Sequence, residues 1–92
     1  MAYKVQLQDE AILDLRDIYE WYEAKRKTLG DEFLDELENS ISEISLHPLH
    51  YFKINDYLRR YHMKRFPYII IFETESSTIF ITSVTHTARR PK

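Results

Sequence analysis

The stretch KRFPYIIIFETE, residues 64–75, and the stretch STIFITSVTH, residues 77–86, together decide the fold. Both are rich in isoleucine, phenylalanine and threonine, side chains that suit a pleated surface, so both read as strands. Pro67 cannot donate to a ladder and belongs at the beginning of its strand. Glu75-Ser76-Ser77 is the turn between them. It holds no glycine, so a loop longer than two residues, or a type I turn, is expected in place of type I′.

Upstream, DYLRRYHM (residues 56–63) reads as a further strand, led by an Asn55-Asp56 turn, while YFKI (51–54) is ambiguous. At the other end of the chain, YKVQLQ (3–8) alternates, with Tyr3, Val5 and Leu7 to one side and Lys4, Gln6 and Gln8 to the other. That is a short strand with one wet face.

Two helices fill the interval. In DEAILDLRDIYEWYEAKRK (9–27), Ala11, Leu15, Ile18 and Tyr22 recur at three- and four-residue steps, flanked by Ile12 and Tyr19. This is an amphipathic helix of about five turns. Asp9 is its expected N-cap, and Lys25, Arg26 and Lys27 at its end suit the macrodipole. Gly30, the only glycine, is expected to mark the break. DEFLDELENSISEISLHP (31–48) then presents Phe33, Leu34, Leu37, Ile41 and Ile44 on one face and ends before Pro48. Helices joined so tightly form an antiparallel hairpin. The expected fold is α+β in the order β-α-α-β-β-β, one domain over 1–92, with the hairpin packed on one face of an antiparallel sheet.

Composition narrows the chemistry. With 43% hydrophobic and 14% aromatic residues, the 92-residue chain has the means to build a core. It has no cysteine, which removes disulfides, thiolate nucleophiles and cysteine metal sites and favours a cytosolic protein. MAYKVQLQ has no apolar signal region. The longest apolar run, Tyr68 to Phe72, is five residues, too short to span a bilayer. The net charge of −2 hides a split: Asp9 to Glu43 carries 12 acidic and 4 basic side chains, while Ile44 to Lys92 carries 3 acidic and 8 basic. Such asymmetry speaks of surfaces and partners. The strands read as a basic platform drawn from Arg59, Arg60, Lys64, Arg65, His86, Arg89 and Arg90, with acidic helices behind it.

Single sites are weaker signals. His47 and His50 are spaced for one metal ion, but Pro48 breaks the helix between them and no third ligand stands nearby, so a metal site is not expected. Ser76, Ser77 and Ser83 lack the elbow of a nucleophilic serine. Tyr19, Trp21 and Tyr22 read as packing. Tyr57, Tyr61 and Tyr68 are interleaved with Arg59, Arg60 and Arg65, which fits either a base-stacking sheet or ordinary cross-strand pairs. Arg59 and Arg60 are adjacent, so a strand sends them to opposite faces, one to brace the structure and one to reach outward.

Taken in order, the motifs resemble one family. A-x-x-D-L-x-D-I-x-x-W-Y (Ala11 to Tyr22), L-G-x-x-F-L-x-x-L (Leu29 to Leu37) and His47-Pro48 are followed by R-R-x-x-x-K-R-F-P-Y-x-I-x-F (Arg59 to Phe72) and V-x-H-x-x-R-x-P (Val84 to Pro91). This series is similar to the RelE/ParE superfamily of bacterial toxins and covers nearly the whole chain. The resemblance implies a toxin silenced by an antitoxin, with no cofactor, no membrane and no small-molecule substrate. It also implies one of two activities: ribosome-dependent cleavage of messenger RNA, or poisoning of DNA gyrase. In RNase-type members an arginine sits just inside the third strand, where this chain has Ile69, and a terminal tyrosine has no counterpart in TARRPK (87–92). RFPYIIIF is similar to the ParE-type pattern, and an acidic chain is poorly suited to a phosphate-rich ribosome. The resemblance therefore points to gyrase, with Arg59, Arg60, Lys64, Arg65, Arg89 and Arg90 as target contacts. In the RelE-like alternative, His86 is the general acid–base beside the ribosome and mRNA, with Arg60 or Arg65 on phosphate. A non-toxic binding module with the same fold is the third expectation.

Overall fold

The structure, a computed structural model, describes residues 3–88. The chain forms β1 (Lys4–Leu7), α1 (Asp9–Lys25), α2 (Leu29–Leu46), a 3-10 turn (Pro48–His50), β2 (Phe52–Lys53), β3 (Leu58–His62), β4 (Tyr68–Glu75) and β5 (Thr78–His86). The ambiguous YFKI thus contributes a two-residue edge strand. The sheet order is β1-β5-β4-β3-β2. Strands β2 to β5 are antiparallel as expected, but β1 joins β5 in parallel, with Val5 opposite Ile79 and Leu7 opposite Ile81. The sheet is therefore mixed. A strand that precedes the helical hairpin and docks beside the last strand has its direction set by that crossover, which periodicity within one segment does not register.

The spacing read from α1 holds: Ala11, Leu15, Ile18 and Tyr22 are all buried, against Phe33, Leu37 and Ile44 of α2 and Tyr68, Ile70, Phe72, Ile79, Ile81 and Val84 of the sheet. Burying each such large side chain contributes about 1.5–3 kcal/mol. Leu34, expected on the core face of α2, is 39% exposed, and Ser40 is buried instead, its hydroxyl donating to the Glu36 carbonyl at 2.9 Å. In β5 the inward residues are Ile79 and Ile81 and then Val84, a change of phase. A bulge explains it: Ile71 lies opposite Ser83 and Phe72 opposite Ile81, so Thr82 is the extra residue and its hydroxyl donates to the Ile71 carbonyl at 3.1 Å.

Three local expectations are corrected. Asp9 begins α1, with Gln8 in the extended N-cap position. The chain reverses at Arg26–Thr28, with Thr28 left-handed at φ 70°, whereas Gly30 lies inside α2. The first turn of α2 is capped from outside: the Glu23 carboxylate accepts the N–H groups of Thr28 (2.9 Å) and Gly30 (3.0 Å). The β4–β5 loop is only two residues, Ser76 and Ser77, between paired Glu75 and Thr78, and Ser76 takes φ 55°. The positive φ at its first position is the sign pattern of a type II′ turn, whose twist matches the strands.

Candidate functional site

The basic residues do not converge on one open face. Directly paired residues share a face of the sheet. Arg59 is paired with fully buried Phe72 and so lies on the helix side, where its guanidinium donates to the carbonyls of Tyr51 (2.8 Å) and Leu49 (3.3 Å). It braces the segment between α2 and β2. Arg60, on the opposite face, is paired with Ile71 and Phe52 and stands 4.3 Å over the Phe52 ring. Of the two adjacent arginines, one braces and one reaches outward, as alternation requires.

Lys64 and Arg65 turn back toward α2. The Lys64 ammonium donates to both carboxylate oxygens of Glu43 (3.2 and 3.0 Å), which also accepts the Tyr61 hydroxyl (3.1 Å). Arg65 pairs with Glu32, which also pairs with Arg26 at 3.2 Å. Between them the Glu36 carboxylate accepts the backbone N–H groups of Lys64 (3.1 Å) and Arg65 (3.4 Å). Three acids of α2, spaced along one side of the helix, clamp the β3–β4 connection. The hydrogen bonds from Arg65 and Lys64 hold the Glu32 and Glu43 carboxyls below the usual carboxylate range against a smaller opposing effect of burial, and Glu43 raises the Lys64 ammonium. Arg89 and Arg90 lie outside the described residues.

The expected basic platform is therefore corrected: among the described residues of that set, only Arg60 has its side chain on the sheet face away from the helices. That face also carries Phe52, Leu58, His62, Ile69, Ile71, Glu73 and Phe80. Tyr61 and Tyr68 are buried against the helices, so neither is part of an open stacking platform; Tyr57 is 77% exposed. Sequence alternation gives the face of each residue, but the positions of the Glu32, Glu36 and Glu43 carboxylates across the chain are set by packing.

His86 lies elsewhere. It pairs with Tyr68, its ring edge-on at 5.1 Å, and lines a groove of about 500 Å³ together with Asp14, Asp17, Ile18, Trp21, Tyr22, Pro67, Tyr68 and Val84. Its Nδ1 accepts the Ala88 N–H at 3.0 Å, which places the proton of a neutral ring on Nε2. Beneath the groove Tyr22, Phe33, Phe66 and Tyr68 form one aromatic cluster, with centroids 5.0–6.2 Å apart. Burial, and then Tyr68, push the Tyr22 phenol up to about 12. Asp14 serves the sheet: its Oδ2 accepts the Val84 N–H at 3.0 Å. Strand β1 ends opposite Ile81, so β5 has no strand partner on that side at Val84, and the carboxylate takes the place of one.

Among the described residues no lysine or arginine lines this groove, and the Lys25 ammonium at its margin stands over the Trp21 ring at 4.5 Å. Phosphodiester cleavage needs a cation where charge develops on phosphorus, and two carboxylates there oppose it. Sequence reading missed the groove, although its signal was present: Asp14, Asp17, Ile18 and Trp21 recur at helical spacing along one side of α1.

A family model described as the ParE toxin of type II toxin-antitoxin system, parDE, matches residues 5–91. A solved chain described as the chromosomal ParDE TA system from P. aeruginosa superposes with a TM-score of 0.80 at 13% identity, covering 92% of this chain and 96% of that one. That likeness establishes a shared fold. No curated protein matches.

Proposed function

Since the chain belongs to the ParE toxin family of type II toxin–antitoxin systems, we propose that it acts in the cytoplasm as a ParE-like poison of DNA gyrase, held inactive by a cognate antitoxin. The family match across residues 5–91 carries this reading. The geometry supports a toxin that binds without catalysing: Arg59 is committed to backbone carbonyls, Lys64 and Arg65 to glutamates of α2, and His86 stands beside two aspartates. The acid–base–cation set of a ribonuclease is not assembled among these residues.

Target contacts are drawn from Arg60, Lys64, Arg65, Arg89 and Arg90, with Arg60 foremost because its guanidinium stands on the uncovered sheet face, while Arg59 is held on the helix side by backbone carbonyls. The Lys64 and Arg65 side chains are 70% and 54% exposed, so a target can reach them without unfolding the clamp.

A supercoiling assay with purified gyrase tests the reading. Inhibition at micromolar protein, accumulation of cleaved DNA and relief by the antitoxin are expected. Full supercoiling activity at that concentration overturns it. Toeprinting of translating ribosomes with the same sample is expected to give no codon-specific cuts.

A further inference from the structure

We infer that the groove between α1 and the paired ends of β4 and β5 is a docking site for an arginine side chain presented by a partner protein. The inference goes beyond the gyrase reading and does not depend on it. Its walls are two carboxylates, Asp14 and Asp17, and four aromatic rings, Trp21, Tyr22, Tyr68 and His86. A groove lined by both carboxylates and aromatic rings suits a flat, weakly hydrated cation that can fork onto an acid and stack at once, which describes guanidinium better than ammonium.

Three observations select this occupant. Trp21 already draws a cation, since Lys25 Nζ stands 4.5 Å over its ring, and the indole is still 55% exposed. Asp17 takes part in no described hydrogen bond or ion pair, so its charge is available to a ligand. The volume of about 500 Å³ is in the range of ligand sites and exceeds one side chain, leaving room for the arginine's neighbours against Ile18 and Pro67. A nucleic-acid occupant is disfavoured by the carboxylates. A metal is disfavoured because no group of three ligating side chains stands together among the described residues.

Trp21 is the only tryptophan, so its emission reports on the site. The full chain is titrated with the blocked peptide acetyl-Leu-Arg-Leu-amide, and in parallel with the same peptide bearing citrulline, an uncharged analogue of the same shape. The indole N–H resonance is followed by NMR on the same samples. The arginine peptide is expected to give a saturable change in both signals, with binding about fivefold weaker or more for citrulline and for the Asp17→Asn protein. Asp17 supports no described contact within the fold, so this variant is expected to keep the parent's thermal midpoint. Absence of binding, equal binding of the two peptides, or binding unchanged by Asp17→Asn overturns the inference.

Discussion

Gly30 of α2 sits directly against Tyr19 of α1: a Cβ placed on it would lie 2.7 Å from Cδ1 of the ring and 2.9 Å from the Tyr19 carbonyl oxygen. The glycine is there for close approach of two helices, not for a turn. The ring can swing aside, but the carbonyl belongs to a helix backbone and cannot. Gly30→Ala is expected to destabilise the fold by about 1–3 kcal/mol through overpacking, despite alanine's better helix propensity. Urea unfolding checks this, with a lower midpoint and an unchanged m-value expected.

Asp14 closes the edge of β5 that β1 leaves open. Asp14→Ala strands the Val84 N–H beside a buried side chain, and a loss of about 1–3 kcal/mol is expected. Asp14→Asn keeps an acceptor and is expected to lose less. Hydrogen exchange at the Val84 amide is the direct readout: fast exchange in the alanine variant, with protection retained in the asparagine variant.

The α2 clamp makes stability depend on acid. Glu32 and Glu43 have folded values below the ordinary unfolded value of about 4.3, so their contribution is complete above that value and is lost as pH falls through the folded ones. Lys64 is raised, so its share persists until pH climbs above its ordinary range. The pairs are exposed, and the effect is correspondingly small. Thermal midpoints at about pH 3 and pH 7 are expected to differ less in the Glu32→Gln, Glu43→Gln double variant than in the parent. An identical acid-induced drop would show that other carboxylates are responsible.

If the chain is the proposed gyrase poison, Arg59 and Arg60 separate structure from target binding. Arg59→Ala removes the donor from the Tyr51 and Leu49 carbonyls and is expected to lower stability by about 1–3 kcal/mol, with any loss of inhibition following the loss of folded protein. Arg60→Ala removes a guanidinium resting on an exposed ring. It is expected to leave the thermal midpoint within a degree or two and to weaken gyrase inhibition about tenfold. Differential scanning fluorimetry beside the supercoiling assay distinguishes them.

Much of the architecture was legible because its signals are local. Helical spacing in α1 named Ala11, Leu15, Ile18 and Tyr22, and all four are buried. Composition named β4 and β5, and alternation set Arg59 and Arg60 on opposite faces. What misled was also local. An acid before a helical run looks like a cap, a glycine between helices looks like a break, and a cluster of cations in the second half looks like a surface. Gln8, Glu23, Glu32, Glu36 and Glu43 decided those points from other places in the chain.

By itself the sequence determined the two helices, the long strands, most of their inward faces and the family, since periodicity and ordered motifs are properties of neighbours along the chain. The tertiary structure alone decided that β1 runs parallel to β5, that the acids of α2 hold Lys64 and Arg65, and that Asp14, Trp21 and His86 share one groove. Charges and strand edges find their partners across space, where packing brings a carboxylate within 3 Å of a donor many residues away.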